Sequence, residues 1–311
     1  MEFLTAVFVS PFVEIYEYPL FFIEVVTGGL LAGVMYSLVA LGFVLIFKAS
    51  GVFNYAQGAM VLFSALTLVG LIEHGLPIWL ALVATIIVMI ALAMAIEKVV
   101  LRKLVNQEPI ILFMATIGLS YFLDGSGQIL WGSDVKVLDL GIPSAPMEFA
   151  GILVNQFDIV AAVSAGSLVA VLAIFFHKTR IGRALRAVAD DHQAALSVGI
   201  PLKTIWAIVW AVAGLVGLVA GIMWGTKLGV QFTLTLVALK ALPVLILGGF
   251  TSIPGAIIGG LIIGVGEKVA EVFWGPAFGG AIEDWFAYML ALVFLLFRPQ
   301  GLFGDKIIER V

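Results

Sequence analysis

Apolar runs of about twenty residues, cut by short polar stretches, recur along the chain. That is the length an α-helix needs to cross a bilayer. Reading the runs between charges gives nine candidate crossings, near residues 25–47, 57–72, 77–96, 109–131, 158–176, 204–225, 232–248, 254–272 and 283–297. The pattern predicts an all-α polytopic membrane protein. Run 57–72 is short and follows a polar, glycine-containing stretch. It is either a full crossing or a broken, re-entrant helix, a form tolerated only where protein or a cavity shields its backbone. Eight or nine transmembrane helices are therefore expected.

Orientation follows from the cations. Of 16 Lys and Arg residues, 12 fall on one side if the N-terminus is outside: Lys48, Lys98, Arg102, Lys103, Lys178, Arg180, Arg183, Arg186, Lys203, Arg298, Lys306 and Arg310. The positive-inside rule then places that side, and the C-terminus, in the cytoplasm. Acids such as Asp134, Asp139, Glu148 and Asp158 fall opposite. Residues 1–24 carry Glu2, Glu14, Glu17 and Glu24 but no cation, and no small-residue cleavage site is evident. They are expected to be a retained acidic segment, periplasmic or interfacial, rather than a signal peptide. Residues 25–298 form the transmembrane domain, with a cytoplasmic segment over 177–203, and 299–311 form a cytoplasmic tail.

Composition narrows the chemistry. With 62% hydrophobic and 12% charged residues the chain is not a water-soluble globule. Cysteine is absent and the three histidines, His74, His177 and His192, are scattered. No disulfide, thiolate site or metal centre is expected. A net charge of −4 without a basic stripe excludes nucleic-acid binding. The P-loop pattern is missing, Gly225-Thr226-Lys227 being only a look-alike. No two carboxylates sit at comparable positions in adjacent spans, so no catalytic residue is assigned.

Four features carry the remaining information. In the segment from His177 to Asp191, Ile181, Leu185 and Val188 recur at helical spacing, with Arg183 and Arg186 on other faces. This predicts a short amphipathic helix, followed by a turn at Gly199 and Pro201. The residues leave two roles open, a cationic loop that fixes topology or a docking surface for a partner. In Phe53-Asn54-Tyr55-Ala56-Gln57-Gly58, two amides meet the membrane edge, where they either face a solute or cap the next helix. Gly217, Gly221 and Gly225, Gly255 and Gly259, and Gly260 and Gly264 are spaced by four, which puts each set on one helix face for close packing. Lys240 lies deep in its run, and an intramembrane ion needs a partner or a cavity; Asp124 and Glu267 are expected at the wet outer edge.

These residues resemble a known family, the permeases of branched-chain amino acid ABC importers, and more closely the H-type subunit, whose relatives also serve urea and short amides. The likeness covers roughly residues 24–304 in three blocks. The first runs from Gly28-Gly29-Leu30-Leu31-Ala32-Gly33 through Phe53-Asn54-Tyr55-Ala56-Gln57-Gly58, similar to the family's Asn-Phe-Ala-His-Gly. The second is Thr179 to Asp191 with Gly199-Ile200. The third is Leu247 to Gly260, closed by Arg298-Pro299-Gln300-Gly301-Leu302-Phe303-Gly304.

The resemblance implies a multi-pass subunit of a bacterial inner membrane. It would work with a homologous second permease, two cytoplasmic P-loop ATPases that bind ATP and Mg2+, and a periplasmic solute-binding protein. Membrane lipid surrounds it, and the chain itself carries no cofactor. It further implies that Arg180, Gly182, Arg183, Arg186, Asp190, Asp191 and Gly199 couple to the ATPase. The expected translocation path takes in Asn54, Tyr55, Gln57, Gly58 and Lys240. Gln57 stands where His is usual in the family, and Ala59 where Glu is frequent. A self-sufficient channel or ion-coupled carrier is the alternative reading.

Overall fold

The computed structural model describes residues 2–104, 107–143, 145–190 and 192–304. The first helices are α1 (Glu2–Phe8), α2 (Ser10–Glu17), α3 (Pro19–Ser50), α4 (Gln57–Glu73), α5 (Ile78–Ala95) and α6 (Pro109–Trp131). After the hairpin β1 (Pro146–Phe149) and β2 (Ile152–Asn155) come α7 (Gln156–Lys178), α8 (Arg180–Asp190), α9 (His192–Ser197) and α10 (Leu202–Leu228). The chain ends with α11 (Val237–Lys240), α12 (Leu242–Gly248), α13 (Ile253–Phe273), α14 (Gly275–Phe278) and α15 (Glu283–Phe297). Each of the nine apolar runs thus falls on helix. Among the described residues, five helices are long and apolar enough to cross a membrane, or six counting the bent pair Phe232–Gly248 and Ile253–Phe273 as one span.

The interruption that the structure shows lies in run 232–248, and run 57–72 forms one short continuous helix. Helix α4 runs unbroken for 17 residues and is buried from Gln57 to Gly70. It packs against α5, α6 and α10. Run 232–248 is the interrupted one: a 3-10 turn over Phe232–Leu236 leads to α11, and α12 starts beyond Ala241. Pro243 in the first turn of α12 has no N–H to continue the ladder, and its ring clashes with a preceding carbonyl. The chain then bends by 114° into α13.

Two compact units are formed. One comprises Met1–Ala40, Gly141–Gly166 and Lys240–Val311, the other Leu41–Leu140 and Ser167–Leu239. In the first unit α1 and α2 are clamped to the chain near α14: Trp274 donates to the Val7 carbonyl at 3.1 Å, and Phe12 packs edge-on against its ring. Here α3 begins at Pro19, before the expected start at residue 25. The hairpin departs from an all-α reading. It turns at Ala150 and Gly151, both with positive φ, as a two-residue hairpin loop requires, and Glu24 accepts a hydrogen bond from the Leu153 N–H at 2.9 Å.

The glycine ladders pack backbone against backbone as expected. A Cβ on Gly33 would lie 2.6 Å from the Gly260 carbonyl oxygen, so α3 and α13 touch there with no side chain between them. In the second unit a Cβ on Gly221 would lie 2.5 Å from the Val61 carbonyl, seating α10 on α4. The described part of the tail is tied down rather than free. Leu302 and Phe303 donate backbone bonds to Leu247 and Gly248 at 2.7 and 3.2 Å. Lys306 and Arg310 lie outside the described residues.

Candidate functional site

The segment after α7 folds as the amphipathic helix α8. Leu185 and Val188 are buried, while Arg180 and Arg183 are exposed. The side chain of Thr179 accepts from the Gly182 N–H at 3.1 Å, which starts the helix. Gly182 itself is pressed onto the Phe176 backbone, leaving no space for a Cβ. Arg186 turns back: its guanidinium donates to the carbonyls of Phe176 and His177 at 3.0 and 3.4 Å. Those are carbonyls that the end of α7 leaves without helical partners, where a cation is also favoured by the helix dipole. Arg183 adds a longer bond to the Lys178 carbonyl. Gly199 closes α9 with φ +83, and Ile200 donates back to the Ala195 carbonyl at 3.0 Å. Of the seven coupling candidates, Arg180 and Arg183 face outward, and Gly182, Arg186 and Gly199 shape the segment. Asp190 ends α8, and Asp191 lies outside the described residues.

In the second unit Asn54 and Gln57 form a closed knot, each wholly buried. Asn54 donates to the Gln57 carbonyl oxygen at 3.4 Å and accepts from the Ala56 N–H at 3.2 Å. Gln57 donates to the Ala213 carbonyl on α10 at 3.3 Å. Thr116 on α6 receives the Tyr55 N–H at 3.1 Å, and the Tyr55 ring remains partly exposed. Gly58 allows the Thr235 carbonyl to sit against α4, and a Cβ there would also lie 2.9 Å from that of Ala238. Four of the five path candidates are therefore neighbours, their amides turned to one another and to protein backbone.

The fifth, Lys240, belongs to the first unit. Its ammonium meets Asp284 at 2.8 Å, Glu267 at 3.1 Å and Glu283 at 3.7 Å. Lys268 holds Glu283 at 2.9 Å, and Glu271 accepts from the N–H groups of Ala281 and Glu283, both at 2.9 Å. Glu267 is 2% exposed and so does not sit at a wet edge. The expectation that no carboxylates of adjacent helices come together also fails, because Glu267 on α13 and Glu283 and Asp284 on α15 converge. What they converge on is a lysine, and the result is an ion-pair network with both signs present. The signal for it was Lys240 itself, since a lysine in an apolar run calls for a counter-charge.

Residues 25–298 match the family model described as branched-chain amino acid transport system / permease component. The chain is 30% identical to the high-affinity branched-chain amino acid transport system permease protein BraD of Pseudomonas aeruginosa, over 96% of this chain and 99% of that one. It is 27% identical to the corresponding permease protein LivH of Escherichia coli K12, over 94% and 98%. A solved structure of PsaBC from Streptococcus pneumoniae in complex with Fab shares the fold, with a TM-score of 0.50 at 15% identity over 87% of this chain and 89% of that one. The chain belongs to the permease-component family of branched-chain amino acid transport systems.

Proposed function

We propose that this chain is one membrane-spanning subunit of a binding-protein-dependent importer that moves branched-chain amino acids, or similar small polar solutes, inward. ATP is hydrolysed by separate cytoplasmic subunits, a homologous second permease completes the path, and a periplasmic protein delivers the solute. The orientation is N-terminus outside and C-terminus inside, in a bacterial inner membrane. The observation that carries this reading is α8, an amphipathic helix anchored by Leu185, Val188 and Arg186 that presents Arg180 and Arg183 outward. Such a helix can transmit a push, because Arg186 joins it to the end of α7. Asn54, Tyr55, Gln57 and Gly58 are assigned to the path, and their knot corresponds to a closed state that must open during transport. Lys240 is assigned to the path as well, held by Glu267 and Asp284.

The test is Arg183→Glu in the assembled transporter. Association with the ATPases and solute uptake should both fall while the protein still inserts in the membrane. Normal uptake would remove the coupling assignment. Uptake by the isolated chain in liposomes, without ATP or partners, would instead establish a self-sufficient carrier.

A further inference from the structure

The second unit holds a cavity of about 490 Å³ lined by Glu97, Arg102, Leu196, Pro201, Leu202, Lys203 and Trp206. That volume is in the range of clefts that hold small ligands. It opens where α5 ends irregularly, in a π-helical turn over Ile96–Val100 followed by a 3-10 turn over Leu101–Leu104. Side chains five residues apart do not face each other on a regular α-helix. The wider turn brings Arg102 back onto Glu97, with nitrogen–oxygen distances of 3.0 and 2.6 Å. Glu97 is 1% exposed, so this bidentate pair cancels the buried carboxylate.

Two properties of the cavity remain after that cancellation. Its walls are mainly apolar, from Leu196, Pro201, Leu202 and Trp206. Its rim carries an exposed cation, Lys203, which joins none of the ion pairs found among the described residues. The cavity also lies at the ends of two membrane-length helices, Ile78–Leu104 and Leu202–Leu228. Hydrocarbon gives way to headgroups at that level, and Lys or Arg beside a membrane attracts anionic lipid. A water-soluble anion would use Lys203 but not the apolar walls, and a neutral lipid would use the walls but not Lys203.

We propose that this cavity binds one anionic phospholipid. Its phosphate pairs with Lys203, and the upper part of an acyl chain lies along Leu196, Leu202 and Trp206. The site is independent of which solute the protein carries. It rests on the orientation proposed above only for naming the cytoplasmic leaflet.

The probe is phosphatidylglycerol against phosphatidylcholine with the same acyl chains. Both are offered to the full-length protein in nanodiscs, and the retained lipid is read by native mass spectrometry. Wild-type protein should retain phosphatidylglycerol preferentially. Lys203→Ala should reduce that preference roughly five-fold, the worth of one cation near an anionic surface. Lys178→Ala, which removes an exposed cation on the same side, should leave the preference intact. Equal retention of the two lipids, or an equal loss in both variants, would overturn the proposal. So would a Lys203→Ala protein that keeps its lipid preference but loses its ATPase partners, because the cavity would then belong to a protein interface.

Discussion

The ammonium of Lys240 lies 3.1 Å from the carboxylate of Glu267, 27 positions along the chain, and Glu267 is almost wholly buried. Removing one member of a buried pair strands the other charge, at a cost of about 3–5 kcal/mol. Lys240→Ala should fall near the lower end, because Lys240 itself is partly exposed. The double variant Lys240→Leu with Glu267→Leu should recover most of the loss, since no buried charge is left alone. Thermal unfolding of the detergent-solubilised protein separates the two cases. A double variant no more stable than the single one would mean that the pair does not act as a unit.

Gly33 on α3 and Gly28 five residues earlier test the close approach to α13. A Cβ at Gly33 would lie 2.6 Å from the Gly260 carbonyl and 2.9 Å from the Leu261 Cα, whereas a Cβ at Gly28 meets nothing within 4 Å. Gly33→Ala should cost about 1–3 kcal/mol, the usual effect of overpacking. Gly28→Ala should be neutral or slightly stabilising, since alanine is the better helix former. The difference between the two melting temperatures is the readout.

Local rules carried the helices and the ladders, because apolar runs and a four-residue glycine period act within one helix. They failed where a residue's role depends on distant chain. Pro243 is the visible cause of the break in run 232–248, yet the shortness of run 57–72 left open whether that run crosses fully or is broken. Nothing in residues 57–72 tells a short helix in lipid from one walled by α5, α6 and α10. Glu267 was placed at a wet edge because its run ends nearby, and only the fold brings it to Lys240. The amphipathic face of α8 was legible, but the use of Arg186 as an anchor for the end of α7 was not. That role is set by how α8 folds back, which side-chain periodicity does not encode.

Arg186 and Arg183 are three residues apart on one helix and should behave differently. Arg186 satisfies the Phe176 and His177 carbonyls. Arg186→Ala leaves the part-buried Phe176 carbonyl short of a donor, at about 1 kcal/mol, and should raise hydrogen exchange across 180–190. Arg183 is exposed and donates one long bond, 3.4 Å, to the Lys178 carbonyl, so Arg183→Ala should raise exchange much less, and should lower ATPase association if α8 docks as proposed. Equal exchange in the two variants would show that the Arg186 anchor contributes nothing.

Gln57 joins three elements: it accepts from Asn54, donates to Ala213 on α10, and sits so close to Gly42 that a Cβ there would lie 2.7 Å from its amide nitrogen. Gln57→Leu keeps the volume and removes both bonds, leaving the buried Asn54 amide short of an acceptor, at about 1–3 kcal/mol. Gln57→His keeps a donor and an acceptor and should retain more of the stability. If these amides line the path when it opens, Gln57→His should also change the order in which leucine, valine and urea compete for uptake. Stability alone has no means of reordering solutes. A wild-type order in Gln57→His, with stability lost only in Gln57→Leu, would assign Gln57 to packing and move the path elsewhere.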